Sequence, residues 1–250
     1  MENRTLILSS SILGVFIAIG LIGMGFFIGN KFLEAKKLDR VVTVKGLAEK
    51  VVKADLAIWP IKFRGSGDDL QALNTKIEMD RKKVIEYFKK QGIAENEIEI
   101  GNYQLIDLMS KEYRSQSEEK NRYIISGSIE LITNKVDLVK KLQQQVHELI
   151  KEGIIIDTEK GPKFEYTKFN EIKLLMIEEA NKNSENAAIQ FANNSNSKLG
   201  GIKKANQGMF LIEAPFNVGS EDAYENKMLS YMSINKKIRV VTTVDYYLVD

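Results

Sequence analysis

Between Leu6 and Gly29 the chain reads LILSSSILGVFIAIGLIGMGFFIG, without one charged side chain, whereas everything after Lys31 is rich in charge. An α-helix rises about 1.5 Å per residue and a bilayer hydrocarbon core is about 30 Å thick, so about 20 apolar residues cross it. The stretch meets that length with room for tilt. It predicts an N-terminal anchor over residues 1–31 with a transmembrane helix at 6–29, a linker over 32–40, and a folded body over 41–250. The competing reading is a cleaved secretory signal, whose apolar region is about 7–15 residues long and ends at a small-x-small site. The apolar run here is longer, and Gly29-Asn30-Lys31-Phe32-Leu33-Glu34 offers no such site, which favours a permanent anchor. Gly25 and Gly29 have the small-xxx-small spacing that lets two membrane helices approach, although membrane composition alone accounts for such glycines.

Charge does not fix the topology. Lys31, Lys36, Lys37 and Arg40 follow the span and only Arg4 and the amino terminus precede it, which taken literally places the body in the cytoplasm. Large domains, however, translocate largely regardless of flanking charge. The absence of cysteine removes disulfides, thiol catalysis and thiolate metal sites and is compatible with any compartment. A formal net charge of +2 gives no field that favours nucleic acid, and Arg81-Lys82-Lys83 falls within an amphipathic helix pattern where a solvated face explains it.

The body is long enough for one large domain or two small lobes. Val42, Val44, Val51 and Val52 suggest two strands separated by a bulge or tight turn at Gly46, and period two continues through Ala57, Trp59, Ile61 and Phe63. Pro60 cannot donate to a ladder and so predicts an edge or bulged strand; Trp59 reads as core. Asp68 or Asp69 caps a helix with Leu70, Leu73, Ile77, Val84 and Phe88 on one face, ending at Gly92. Segments 98–108 and 123–132 read as a long hairpin with a polar tip, and a helix from Thr133 or Asn134 carries Val136, Val139, Leu142, Val146, Leu149 and Ile150 until Gly153. Strands at 154–156 and 164–169 complete a β-α-β-β-α-β unit, in which two helices cover one face of an antiparallel sheet. A further long helix runs from Glu171 to about Lys198. It has Ile172, Met176, Ala180, Ala187, Phe191 and Ser195 near one stripe, Ala188 and Ala192 beside it, and Leu199-Gly200-Gly201 as its stop. Two C-terminal strands, 202–212 and 238–249, flank a connection over 213–235 that is long for a compact domain and therefore reads as mobile or engaged in contacts. The fold class is thus α+β: a transmembrane helix, antiparallel sheets with this unit, then a long helix and two strands.

Val44, Gly46, Ala48, Glu49, Val52, Ala54 and Asp55 spell V-x-G-x-A-E-x-x-V-x-A-D, and the body closes with Ile238-Arg-Val-Val-Thr-Thr-Val-Asp-Tyr-Tyr-Leu248. With the alanine-spaced helix before Leu199-Gly200, these segments resemble the SIMPL-domain family, also called DUF541, over roughly 41–249. The resemblance implies an α+β bacterial envelope protein, exported or anchored in the inner membrane with its body in the periplasm or outside the cell. It further implies ring-like homo-oligomers and, for some members, a link to oxidative-stress defence. It supplies no reaction and no catalytic residues.

Read from the residues, the signature is structural: Gly46 allows a close approach that a β-carbon would block, and Glu49 and Asp55 sit on alternate or solvent-facing strand positions. His147 is the only histidine, so one subunit has no histidine metal cluster and no second choice of base for a triad. It reads as a surface or half-buried imidazole. Gly65-Ser66-Gly67 lacks the phosphate-loop and dinucleotide patterns and reads as a turn before a helix cap. Tyr103, Tyr113 and Tyr123 have no spacing that singles them out. No catalytic, cofactor or metal site is assigned. The sequence therefore favours a membrane-tethered, non-enzymatic, self-assembling envelope protein whose partners are the membrane and its own copies, not nucleic acid. An extracytoplasmic ligand-binding or sensing module acting through a partner is the alternative, and an enzyme using dispersed carboxylates or a tyrosine comes third.

Overall fold

Alternation of apolar and polar side chains decides where the strands lie in the computed structural model, which describes residues 17–31, 40–110, 121–157, 160–216 and 223–249. In chain order the elements are helix α1 (residues 17–31), β1 (Val41–Lys53), β2 (Leu56–Gly67), α2 (Leu70–Lys90), β3 (Ile98–Ile100), β4 (Gln104–Asp107) and β5 (Tyr123–Thr133). They continue with α3 (Val136–Gln145), α4 (His147–Lys151), β6 (Ile155–Asp157), β7 (Lys163–Glu165), α5 (Phe169–Asn194), β8 (Lys198–Gln207), β9 (Leu211–Glu213), α6 (Ala223–Met232) and β10 (Asn235–Val249). The α+β class stands. Helix α1 is solvent-exposed throughout, and residues 6–16 of the predicted span lie outside the described residues, as do the linker residues 32–39 and the hairpin tip 111–120 with Tyr113. Among the described residues no helix is long and apolar enough to cross a membrane.

Contacts divide the chain into two units. The larger holds residues 49–174 and 210–239. Its main sheet has the order β3-β5-β2-β6, with β4 also on β5 and β7 also on β2, all antiparallel. This is the predicted β-α-β-β-α-β unit. Ala57, Trp59, Ile61 and Phe63 of β2 and Ile125, Ile129 and Leu131 of β5 share one core with Leu73, Ile77, Val84 and Phe88 of α2 and with Val139 and Leu142 of α3. Trp59 meets Phe88 edge to face at 5.7 Å, a core position as its alternation required. Asp69 is the cap, its carboxylate accepting from the Gln71 and Ala72 amides, and Gly92 and Gly153 take positive φ after their helices.

Several expectations for this unit need correction. Pro60 lies on a central strand, not an edge: it faces Glu130 of β5, and on its other flank it falls between the pairings of Ile58 with Lys163 and of Lys62 with Asp157. The two short strands β6 and β7 leave a gap there, so a residue without an N–H is tolerated. The first hairpin arm is broken into β3 and β4 where its register on β5 shifts by one residue, between Ile100 opposite Ile129 and Gln104 opposite Ser126; the Gly101 amide there still donates to the Ser128 carbonyl. The helix after Thr133 divides at Val146 into α3 and α4. Gly65-Ser66-Gly67 is the end of strand β2, not a turn, because it pairs with β5 through Ile125, Ile124 and Tyr123. The 213–235 connection contains helix α6, which packs on β7 and β9.

The smaller unit joins residues 1–48, 175–209 and 240–250. Here β10 lies between β1 and β8, and it pairs antiparallel with β8 from Thr242 opposite Gln207 to Val249 opposite Lys198. Gly46 makes no turn. It sits inside β1, and a Cβ on it would lie 1.9 Å from the Ala180 carbonyl oxygen and 2.6 Å from the Ser184 nitrogen. Helix α5 therefore rests its backbone on β1 at Ala180 and Ser184, Ala188 packs with Val44 of β1, and Ala192 is buried further along the same stripe. The buried stripe keeps the i, i+4 spacing through Ser184, and the predicted stripe members Phe191 and Ser195 are exposed. The helix stops at Asn194, before the glycines: Asn196 turns the chain with φ 51°, and Gly200 and Gly201 lie inside β8.

Candidate functional site

The signature residues do not converge on a cleft. Val44, Gly46 and Ala48 face inward from β1. Glu49 faces Lys237 and Arg239 of β10 at 3.6 Å each, and Ala54 is buried with its amide donating to the Ile234 carbonyl. Asp55 accepts from the Thr167 amide at 2.8 Å and its hydroxyl at 3.0 Å, while its own amide donates to the Glu165 carbonyl. These are bonds that fix a chain reversal after β1 and the exit from β7. His147 is exposed at the start of α4, with Nδ1 3.0 Å from the Gln144 carbonyl. Tyr123 carries the Arg122 guanidinium over its ring at 4.8 Å. Tyr103 is half-covered, with Arg81 over its ring at 5.4 Å; burial and then a hydrogen bond with Glu78 push its phenol up to about 12.

What the chain does bring together lies elsewhere in the larger unit. Helix α6 covers β7, β9 and the first residues of β10, and between them is a cavity of about 260 Å³. Its walls are Phe164, Tyr166, Ile212 and Tyr231, with Glu165, Lys227, Ser230 and Lys236 as the polar groups. Lys236 occupies an inward position of β10, in the same alternating row as Ile238, Val240, Thr242, Val244 and Tyr246, and is 2% exposed. Its ammonium donates to the Ser230 carbonyl. No carboxylate forms an ion pair with it among the described residues. Burial lowers its pKa to about 8, a shift that the charge of Glu165 partly opposes. Above the cavity, Lys163 and Lys227 hold their ammonium groups 5.7 and 6.0 Å from the centre of the Tyr231 ring.

A buried lysine beside a cavity is a costly arrangement, because an ammonium removed from water is paired or loses its proton. Sequence reading missed it by starting the last strand at Ile238. Carrying the period-two row back one step to Lys236 puts a lysine on the buried face, and that is the signal that was present. Thr75, Tyr103 and Leu105 line a second, open hollow beside α2, which carries no buried charge.

Among the described residues no cluster of three or more histidine, cysteine, aspartate or glutamate side chains is arranged to hold a metal ion. Compared with known families, residues 42–246 match the family model described as SIMPL, protein of unknown function (DUF541). Among curated proteins nothing matches the chain.

Proposed function

The chain belongs to the SIMPL family across nearly all of its charged body, and from that premise we propose a membrane-tethered envelope protein that acts by self-association and not by catalysis. In this reading the uncharged 6–29 stretch is a single inner-membrane span, the body stands on the outer side of that membrane, and its assembled form serves in defence of the envelope against oxidative stress. The observation that carries self-association is apolar exposure in the smaller unit. Leu175, Phe191 and Ile202 are each 59% exposed and Met209 84%. Isolated exposed apolar side chains are ordinary, and it is the number of large ones, on α5, on β8 and just after it, that supports an assembled state. Strand β8 adds to this, since its outer flank has no strand partner among the described residues and Lys203 and Lys204 guard it against indiscriminate pairing.

Light scattering on the full chain in detergent, from about 1 to 100 µM, is expected to give a discrete oligomer that Phe191→Ser with Ile202→Lys dissociates. A strict monomer at every concentration counts decisively against the reading. Fractionation and protease treatment of whole cells and spheroplasts test the tether: the chain should sediment with membranes, and its body should be cut only after the outer layer is opened.

A further inference from the structure

The described walls of the cavity under α6 carry more positive than negative charge. Among the described residues, Lys227 and Lys236 contribute two ammonium groups to its lining and Glu165 the single carboxylate. Lys236 is the unusual member, because it is almost wholly buried and its acceptor among the described residues is one backbone carbonyl, although an ammonium has three hydrogens to donate. A buried donor with hydrogens unmet is the condition under which a ligand acceptor adds most, and an anion adds more than a neutral acceptor. The remaining walls, Phe164, Ile212, Tyr166 and Tyr231, are aromatic or aliphatic and suit a flat apolar body. Size narrows the class further. A cavity of about 150 Å³ takes a benzene ring, and sites for drug-sized ligands begin near 300 Å³, so the 260 Å³ here matches a molecule of one ring with a short substituent.

We propose that this cavity is a binding site for a small aromatic monocarboxylate, its carboxylate received by Lys236 and Lys227 and its ring held between Ile212 and Tyr231. The site lies wholly within the larger unit and stands apart from self-association. Serine and tyrosine hydroxyls on Ser230 and Tyr231 line the same space, and no reaction of the ligand is implied.

The test uses the full chain in lipid nanodiscs, with benzoate as the probe and benzamide as its uncharged counterpart, followed by ligand-observed NMR at pH 7 with empty nanodiscs subtracted. Benzoate is expected to bind at least tenfold more tightly than benzamide. Lys236→Met should remove that preference, and Lys227→Gln should reduce it. A cavity-filling change, Ile212→Trp, should weaken both probes about equally and keeps the test decisive if Lys236→Met does not fold. Equal affinity for the two probes, no measurable benzoate binding up to 10 mM, or unchanged benzoate affinity in Ile212→Trp or in folded Lys236→Met overturns the proposal.

Discussion

The two units put a helix on a sheet in opposite ways. In the larger one, α2 and the β2–β5 pair are separated by big side chains, Phe63, Phe88, Trp59 and Leu131, which interlock to fill the space between layers. In the smaller one, α5 and β1 nearly touch, with Gly46 on the strand against Ala180 and Ser184 on the helix and Val44 packed with Ala188. One interface is held by transferred apolar area, the other by close contact of backbones and dispersion between them. The lesson is that the same architecture tolerates opposite errors: the first is broken by removing atoms, the second by adding them.

The largest effect is expected from Phe88→Ala. Its ring is fully buried and meets both Trp59 and Tyr87 edge to face, at 5.7 and 5.2 Å, so truncation removes transfer energy, leaves a cavity and loses both ring contacts. A loss of about 4 kcal/mol in urea-unfolding stability is expected. In hydrogen exchange, α2, β2 and β5 should lose protection first. A loss below about 1 kcal/mol means the larger core is not interlocked as described.

Next comes the addition of one methyl group, Gly46→Ala. The new carbon falls within 2 Å of a helix carbonyl oxygen and inside 3 Å of a helix nitrogen, and both are backbone atoms that no rotamer change can move away. Overpacking costs about 1–3 kcal/mol where side chains can yield, and a cost of about 3 kcal/mol is expected here. The loosened amides should be those of 175–194 and the facing part of β1. If Gly46→Ala were neutral while Phe88→Ala is severe, the contrast between the units would fail.

How far the sequence reveals this differs between the units for a physical reason. In the larger unit each signal is local: alternation through Ala57, Trp59, Ile61 and Phe63 marks an inward face, Asp69 caps its own helix, and Gly92 ends it. The β-α-β-β-α-β order followed from those signals. In the smaller unit the close approach that Gly46 allows is legible, but its partner is not, because that partner is a helix more than a hundred positions later in the chain; the bulge or tight turn that a strand glycine also suggests does not occur. Ser184 is hidden similarly. Its hydroxyl donates to the Asn181 carbonyl at 2.7 Å, which lets a polar residue occupy a buried stripe that an apolarity count skips. Helix α6 is hidden because the length of 213–235 reads as a connection. Within it and just after it are Lys227, Ser230, Tyr231 and Lys236, so the candidate site was lost with the helix.

The smallest effect concerns that lysine and separates the two units by pH. In the unfolded chain a lysine keeps its proton to about 10.5, whereas Lys236 in the fold releases it near 8. Below pH 7 both states are protonated, and the fold carries the cost of a buried ammonium. Between those values the unfolded state binds the extra proton, so stability rises with pH. From pH 7 to 9 the gain is about 1 kcal/mol. Glu165 from β7 and Lys227 from α6 are the described charged groups that line its cavity, and the charge of Glu165 favours the ammonium. The window closes near pH 10, where Tyr87 and Tyr103, each held near 12 in the fold chiefly by burial, begin to ionise in the unfolded chain and draw the balance back. Urea titrations at pH 7, 8 and 9 should therefore show a rising stability that Lys236→Met flattens and Gly46→Ala leaves with the same slope. A slope that survives Lys236→Met assigns the titration to another group and removes the buried ammonium from the account of the larger unit.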